Sequence, residues 1–171
     1  MKKKFSYFVL PLVLLSSGTL FSQKCEVAKD PFTSERTVVS NYGDKIVYFE
    51  NKAGKLKMEM VFTYAGGIDV TMAKGAEVLY KLENEQTVKL VSVNESLPKR
   101  IITQASTQLT TNYSYVFDIT VDDLKKFAAS KVVFIRFPDT KGGTSDFEGK
   151  NGKGLVKAIM KGAECMVENF K

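Results

Sequence analysis

Four carboxylates are the side chains best placed for chemistry: the adjacent pair Asp122-Asp123, and Asp146 and Glu148 in a glycine-rich stretch. Carboxylates brought together can share a proton, hold a divalent cation or divide acid and base roles. Histidine is absent, which removes the usual general base, the Ser-His-Asp and Cys-His arrangements and the commonest zinc ligand. Tryptophan is absent as well, so a Trp-lined sugar platform is excluded. A small carboxylate-dependent hydrolase is the one enzyme class these residues leave open. Each carboxylate also has a plainer role. Asp122 and Asp123 follow Thr120 at the start of a short helical pattern, where they cap the helix and face its positive end. Glu83 and Glu85 flank a hairpin turn and face solvent. The stretch Gly142–Lys150 invites comparison with a phosphate-binding loop, but five residues rather than four separate Gly143 from Gly149. Asn151 stands where Ser or Thr would meet magnesium, and Asp146 and Glu148 would repel phosphate. It reads as a surface loop. No catalytic residue, metal or cofactor is expected.

Two surfaces could bind instead. Lys150, Lys153, Lys157 and Lys161 recur at helical spacing, a face for anionic lipid, glycan or an acidic partner. Glu164 and Glu168 partly neutralise that side, so a solvated face is the simpler account. The aromatic set Tyr48, Phe62, Tyr64, Tyr80, Tyr113, Tyr115 and Phe117 could line an apolar pocket under a curved sheet. Core packing explains it more simply, because a domain of this size needs such side chains inside. The partner expected on these grounds is a protein or a small apolar ligand.

Lys2, Lys3 and Lys4, the apolar Phe5–Leu15 and the small, polar Ser16–Ser22 read together as an export signal cleaved after Ser22. The apolar stretch is short and interrupted by Ser6 and Pro11, which argues against a membrane span. Gln23 and Lys24 before Cys25 argue against a lipidated cysteine. Residues 23–171 then form one globular domain, periplasmic or secreted. Without the three leader lysines the formal charge of +6 falls to +3. Charges of both signs are interspersed, which is not the footprint of a nucleic-acid binder. Two cysteines, Cys25 and Cys165, would meet an oxidising compartment. A disulfide tying the two ends is the expectation, since no CxxC motif or histidine is present to activate a thiol.

The elements that must position these groups are mostly strands. Leu56, Met58, Met60, Phe62 and Tyr64 alternate with Lys57, Glu59, Val61 and Thr63, the pattern of a strand with one buried face. Further strands are predicted at Arg36–Asn41, Ile46–Glu50, Ile68–Met72, Ala76–Leu82, Thr87–Val93 and Tyr113–Thr120. An edge strand is expected between Ile101 and Leu109. Lys131–Phe137 is predicted as a strand with Val132, Val133, Phe134 and Ile135 all buried, and Thr144–Glu148 as a short one. Val121–Ser130 reads as a short helix. A longer helix spans Gly152–Phe170, with Leu155, Val156, Ile159, Met160, Ala163, Met166, Val167 and Phe170 within about 140° of arc. Cys165 sits beside Ala158, Gly162 and Asn169 on a flank of small side chains, where the N-terminal segment could approach. The fold class is α+β: an antiparallel meander of about seven or eight strands, with the C-terminal helix packed on the sheet.

The lead Cys25–Thr33 (Cys-x4-Asp-Pro-Phe-Thr) resembles a family of small exported bacterial proteins with no assigned activity. So do the turn Leu82-Glu83-Asn84-Glu85 running into Val88-Lys89-Leu90, the helix start Val121-Asp122-Asp123-Leu124, and Ile135-Arg136. The resemblance implies an extracytoplasmic sheet-and-helix domain, with glycine where Ser34 and Glu85 stand here, and carries no catalytic residue. The expectation that follows is an exported, non-catalytic binding or interaction domain.

Overall fold

A computed structural model describes residues 24–32, 36–42, 46–102 and 108–170; the expected export signal lies outside them. Ten strands and two α-helices occur in these residues: β1 (Lys24–Lys29), β2 (Arg36–Tyr42), β3 (Val47–Lys52), β4 (Lys55–Ala65), β5 (Glu77–Leu82), β6 (Thr87–Val91), β7 (Lys99–Ile102) and β8 (Leu109–Asp118), then α1 (Val121–Ala129), β9 (Val132–Pro138), β10 (Thr144–Glu148) and α2 (Lys153–Asn169). The α+β class with antiparallel strands and a C-terminal helix on the sheet holds, and the strands divide between two sheets. One runs β1-β2-β3-β4-β8-β7 and the other β10-β9-β5-β6.

β4 takes the form its alternation requires. Leu56, Met58, Met60 and Phe62 are buried, while Lys57 and Thr63 face water. It enters from a two-residue turn in which Ala53 and Gly54 both take left-handed φ values of 51° and 77°, the geometry that matches hairpin twist. The β5–β6 turn holds another left-handed residue, Glu85 at φ 68°. That is the conformation for which glycine is suited, and glycine is what the resemblance implied there. Lys81 Nζ secures the turn by donating to the Glu85 carbonyl at 2.6 Å.

The core lies where the two sheets and both helices meet. Tyr80 of β5 is fully buried; its hydroxyl lies 3.2 Å from Met60 Sδ of β4, and its ring meets Phe127 of α1 edge-on at 5.2 Å. α1 begins as expected, with Thr120 Oγ1 accepting from the Asp123 backbone N–H at 3.1 Å. α2 packs on β2, β3 and α1, and small residues let it come close. A Cβ at Gly162 would lie 2.5 Å from the Phe49 ring. Gly162→Ala should therefore lower the urea midpoint by about 1–3 kcal/mol of stability despite alanine's better helix propensity. Gly154 has open space around it, so Gly154→Ala should raise stability by about 0.5 kcal/mol.

Cys25 of β1 and Cys165 of α2 form a disulfide, with Cα atoms 5.8 Å apart. β1 is an edge strand whose side chains from Cys25 to Lys29 are all exposed. The ladder to β2 holds it on one side, and on the other the disulfide and a hydrogen bond from Asn169 Nδ2 to Cys25 Sγ at 3.3 Å fasten it to α2.

Three expectations need correcting. Ile68–Met72 forms no strand: it is the crossover between sheets, where Met72 makes one bridge to Ser96 and the Ile68 N–H binds Thr111 Oγ1. In α2 the buried side is rotated toward Ala158, Gly162 and Cys165, leaving Leu155, Met160 and Val167 only partly covered, because the sheet approaches the small flank. Phe134 is 47% exposed and Val133 half-buried, although their run reads as wholly buried. Phe134 shares the outer face of β9 with exposed Arg136 while Ile135 points into the core, and the register shift beside Lys81 and Leu82 breaks the regular alternation there.

Candidate functional site

The first residues of β9 face the first half of α2, and a groove of about 670 Å³ lies between them. Its floor is apolar: Val132, Val133 and Phe134 from β9, Val156 and Met160 from α2. Its rim carries Lys131, Lys150, Lys153, Lys157 and Lys161, with Glu83 and Glu148 as the only carboxylates. The four lysines singled out in the sequence thus line one concavity, and Lys150, Lys153 and Lys157 are exposed to solvent there. Lys150 pairs with Glu148 at 2.5 Å and Lys161 with Glu164 at 2.5 Å. Lys131, Lys153 and Lys157 form no ion pair among the described residues.

Local sequence explains the shape. Gly149 passes so close to β9 that a Cβ there would lie 2.5 Å from the Val132 carbonyl oxygen, and this tight passage brings Lys150 and the start of α2 alongside Val132 and Val133. Lys153, Lys157 and Lys161 stand four apart and form one stripe. Val156 and Met160 form the next stripe, turned toward the floor.

The aromatic candidates fill the interior. Phe62, Tyr80 and Tyr115 are core residues and Tyr64 packs against the core. Phe62 stacks on Phe137 at 4.6 Å and meets Tyr115 edge-on at 5.5 Å. Tyr64 donates to the Pro138 carbonyl at 2.6 Å, and Tyr113 donates to that of Val70 at 2.6 Å. Burial pushes the hydroxyls of Tyr80 and Tyr64 far up, and that of Tyr115 to about 12, so at neutral pH they stay protonated. Tyr48 is only partly covered, on the face of β3 away from the core.

The carboxylate candidates each have a local partner. Asp123 accepts from the capping Thr120 Oγ1 at 2.6 Å and from Lys126 Nζ at 3.1 Å. Asp122 lies 3.9 Å from Lys125. Asp146 receives two hydrogen bonds at 2.7 Å from the Arg136 guanidinium, which hold its carboxyl below the usual range. Among the described residues no group of three or more His, Cys, Asp or Glu side chains converges to hold a metal ion. No described helix is long and apolar enough to cross a membrane.

A second concavity, of about 590 Å³, lies on the outer face of β4 and β8, lined by Ile46, Glu59, Val61, Leu97 and Ile101 among others. It carries Glu59 and Glu95 with a single lysine, Lys99, so it lacks the excess of lysines that rims the first. Compared with known protein families, curated proteins and solved structures, the chain matches none.

Sequence reasoning missed Lys131, Val133, Phe134 and Met160 as groove residues. A signal existed in α2, where Lys153 and Lys157 occupy the half that favours carboxylates and Glu164 and Glu168 the half that favours cations.

Proposed function

We propose that this chain is an exported, non-catalytic binding domain of a bacterium, and that the groove between β9 and α2 is where it takes its ligand. One observation carries this: an apolar floor with half-exposed Phe134 sits directly beneath a rim of five lysines and two glutamates. Such a site favours a molecule with an apolar body and a negative charge. Export is supported by the basic and apolar N-terminus and by a disulfide, which persists in oxidising compartments. The non-catalytic part is supported by the lining, which offers no histidine, cysteine, serine or threonine, and by the local partners of Asp122, Asp123, Asp146 and Glu148.

Anilinonaphthalene sulfonate, an anionic and partly apolar dye, should bind saturably at one site. The double variant Lys153→Glu/Lys157→Glu should weaken it by about tenfold or more, since two attractions become repulsions at short range. A hydrolase screen with divalent metals should stay at background. Turnover abolished by Asp146→Asn and Glu148→Gln would overturn the non-catalytic assignment, and dye binding untouched by the lysine variant would remove the groove from it.

A further inference from the structure

We infer that the groove's occupant is a free, single-chain fatty acid, its alkyl chain on Val133, Phe134 and Met160 and its carboxylate at Lys153 and Lys157; this rests on the binding role proposed above. Every uncharged side chain that lines the groove is apolar, and its charged groups are five lysines and two glutamates. The matching ligand is an unbranched apolar body with its charge confined to one end. A volume of about 670 Å³ falls within the range of small-molecule sites.

The rim selects a single negative charge. Its cations are all lysines, point charges without the guanidinium fork that grips phosphate in two bonds. Glu83 and Glu148 on the same rim repel a second charge. The helix supplies further support. α1 follows the dipole rule, with Asp122 and Asp123 in its first turn and Lys126 in its last. α2 reverses it: no acidic residue stands in its first turn, Gly152 offers no side-chain cap, and Lys153 and Lys157 add positive charge to an already positive end. A carboxylate lying over Lys153 and Lys157 offsets that concentration.

Other occupants fit less well. A strand-like peptide needs an open ladder, but Phe134 is already paired with Lys81 on one side and Glu148 on the other. A second copy of the chain would bring two lysine rims face to face.

The test is displacement of anilinonaphthalene sulfonate by myristate below its micelle concentration, with calorimetry for affinity and far-ultraviolet spectra to confirm folding of variants. Myristate should displace the dye at low micromolar concentration. Tetradecyltrimethylammonium, of equal chain length and opposite charge, should need at least tenfold more. Lys153→Glu/Lys157→Glu should invert that preference, and Phe134→Ser should weaken both. Dye that binds and responds to the lysine variant while myristate fails to displace it would overturn the fatty acid and leave the binding role standing. No lysine-dependent dye binding at all would remove both. Binding to phosphatidylglycerol vesicles without binding of free myristate would also overturn the inference, in favour of a membrane surface.

Discussion

Cys25→Ser should lower stability by about 3–5 kcal/mol, the largest loss expected from any exposed position in the protein. The bond joins residues 140 apart in sequence, and in the chain-entropy model release of so long a loop from the unfolded state is worth about 5 kcal/mol at most. Cys25 is the better partner to change because its side chain is exposed, whereas Cys165 is 3% exposed and a polar replacement there would add a burial cost of its own. The melting temperature should fall by roughly 10 °C or more, at about 2–4 °C per kcal/mol for a chain of this size. The far-ultraviolet spectrum should hardly change, because the faces of β4 and β8 are buried without help from the bond. Two further results should accompany the loss. Wild-type protein in strong reductant should unfold at the variant's midpoint, and the urea slope should rise because the unlinked unfolded chain is more open. Equal midpoints with and without reductant would mean that the ladder of β1 on β2 and the packing of α2 hold the ends unaided.

Tyr80→Ala should cost about 3–5 kcal/mol, on the scale of a large aromatic removed from a closed core. Tyr80 is fully buried between Met60 from the other sheet and Phe127 from α1, and pairs with Val88 of β6 and Ile135 of β9. Its removal opens a cavity where the sheets and α1 meet. Tyr80→Phe keeps the ring and loses only a hydroxyl against a thioether sulfur, a weak acceptor, so its cost should stay below about 1.5 kcal/mol. A double-mutant cycle between Tyr80 and Phe127 should show coupling, since the rings pack edge-to-face. Chemical denaturation of the four proteins measures all of this. A cost for Tyr80→Ala near that of Tyr80→Phe would contradict the placement of the ring between the sheets.

Local rules made much of this fold legible. The alternation in β4 and β8, the Thr120 cap with Asp123, and the pairing of Cys25 with Cys165 all appear as the residue types demand. Strand order was not legible, because β5 leaves β4 through a crossover whose backbone partners, Ser96 and Thr111, lie far along the chain. The groove was half legible. Its lysine stripe shows at helical spacing, but Glu164 and Glu168 suggested neutralisation, and they belong to the later turns of α2. The opposite wall, Lys131–Phe134, comes from a run whose hydrophobicity reads as burial. Phe134 lies with Arg136 on the outer face of β9, a placement set by the pairing with β5 and its register shift beside Lys81 and Leu82.

The central claim is that the groove between β9 and α2 holds an anionic apolar ligand, and amide chemical-shift mapping with myristate tests it most directly. Saturable shifts are expected at Lys131–Phe134 and Gly149–Lys161, with none at Ile46, Val61 or Leu97 around the second concavity. Shifts confined to Ile46, Val61 and Leu97, or scattered over both sheets without saturation, would contradict it.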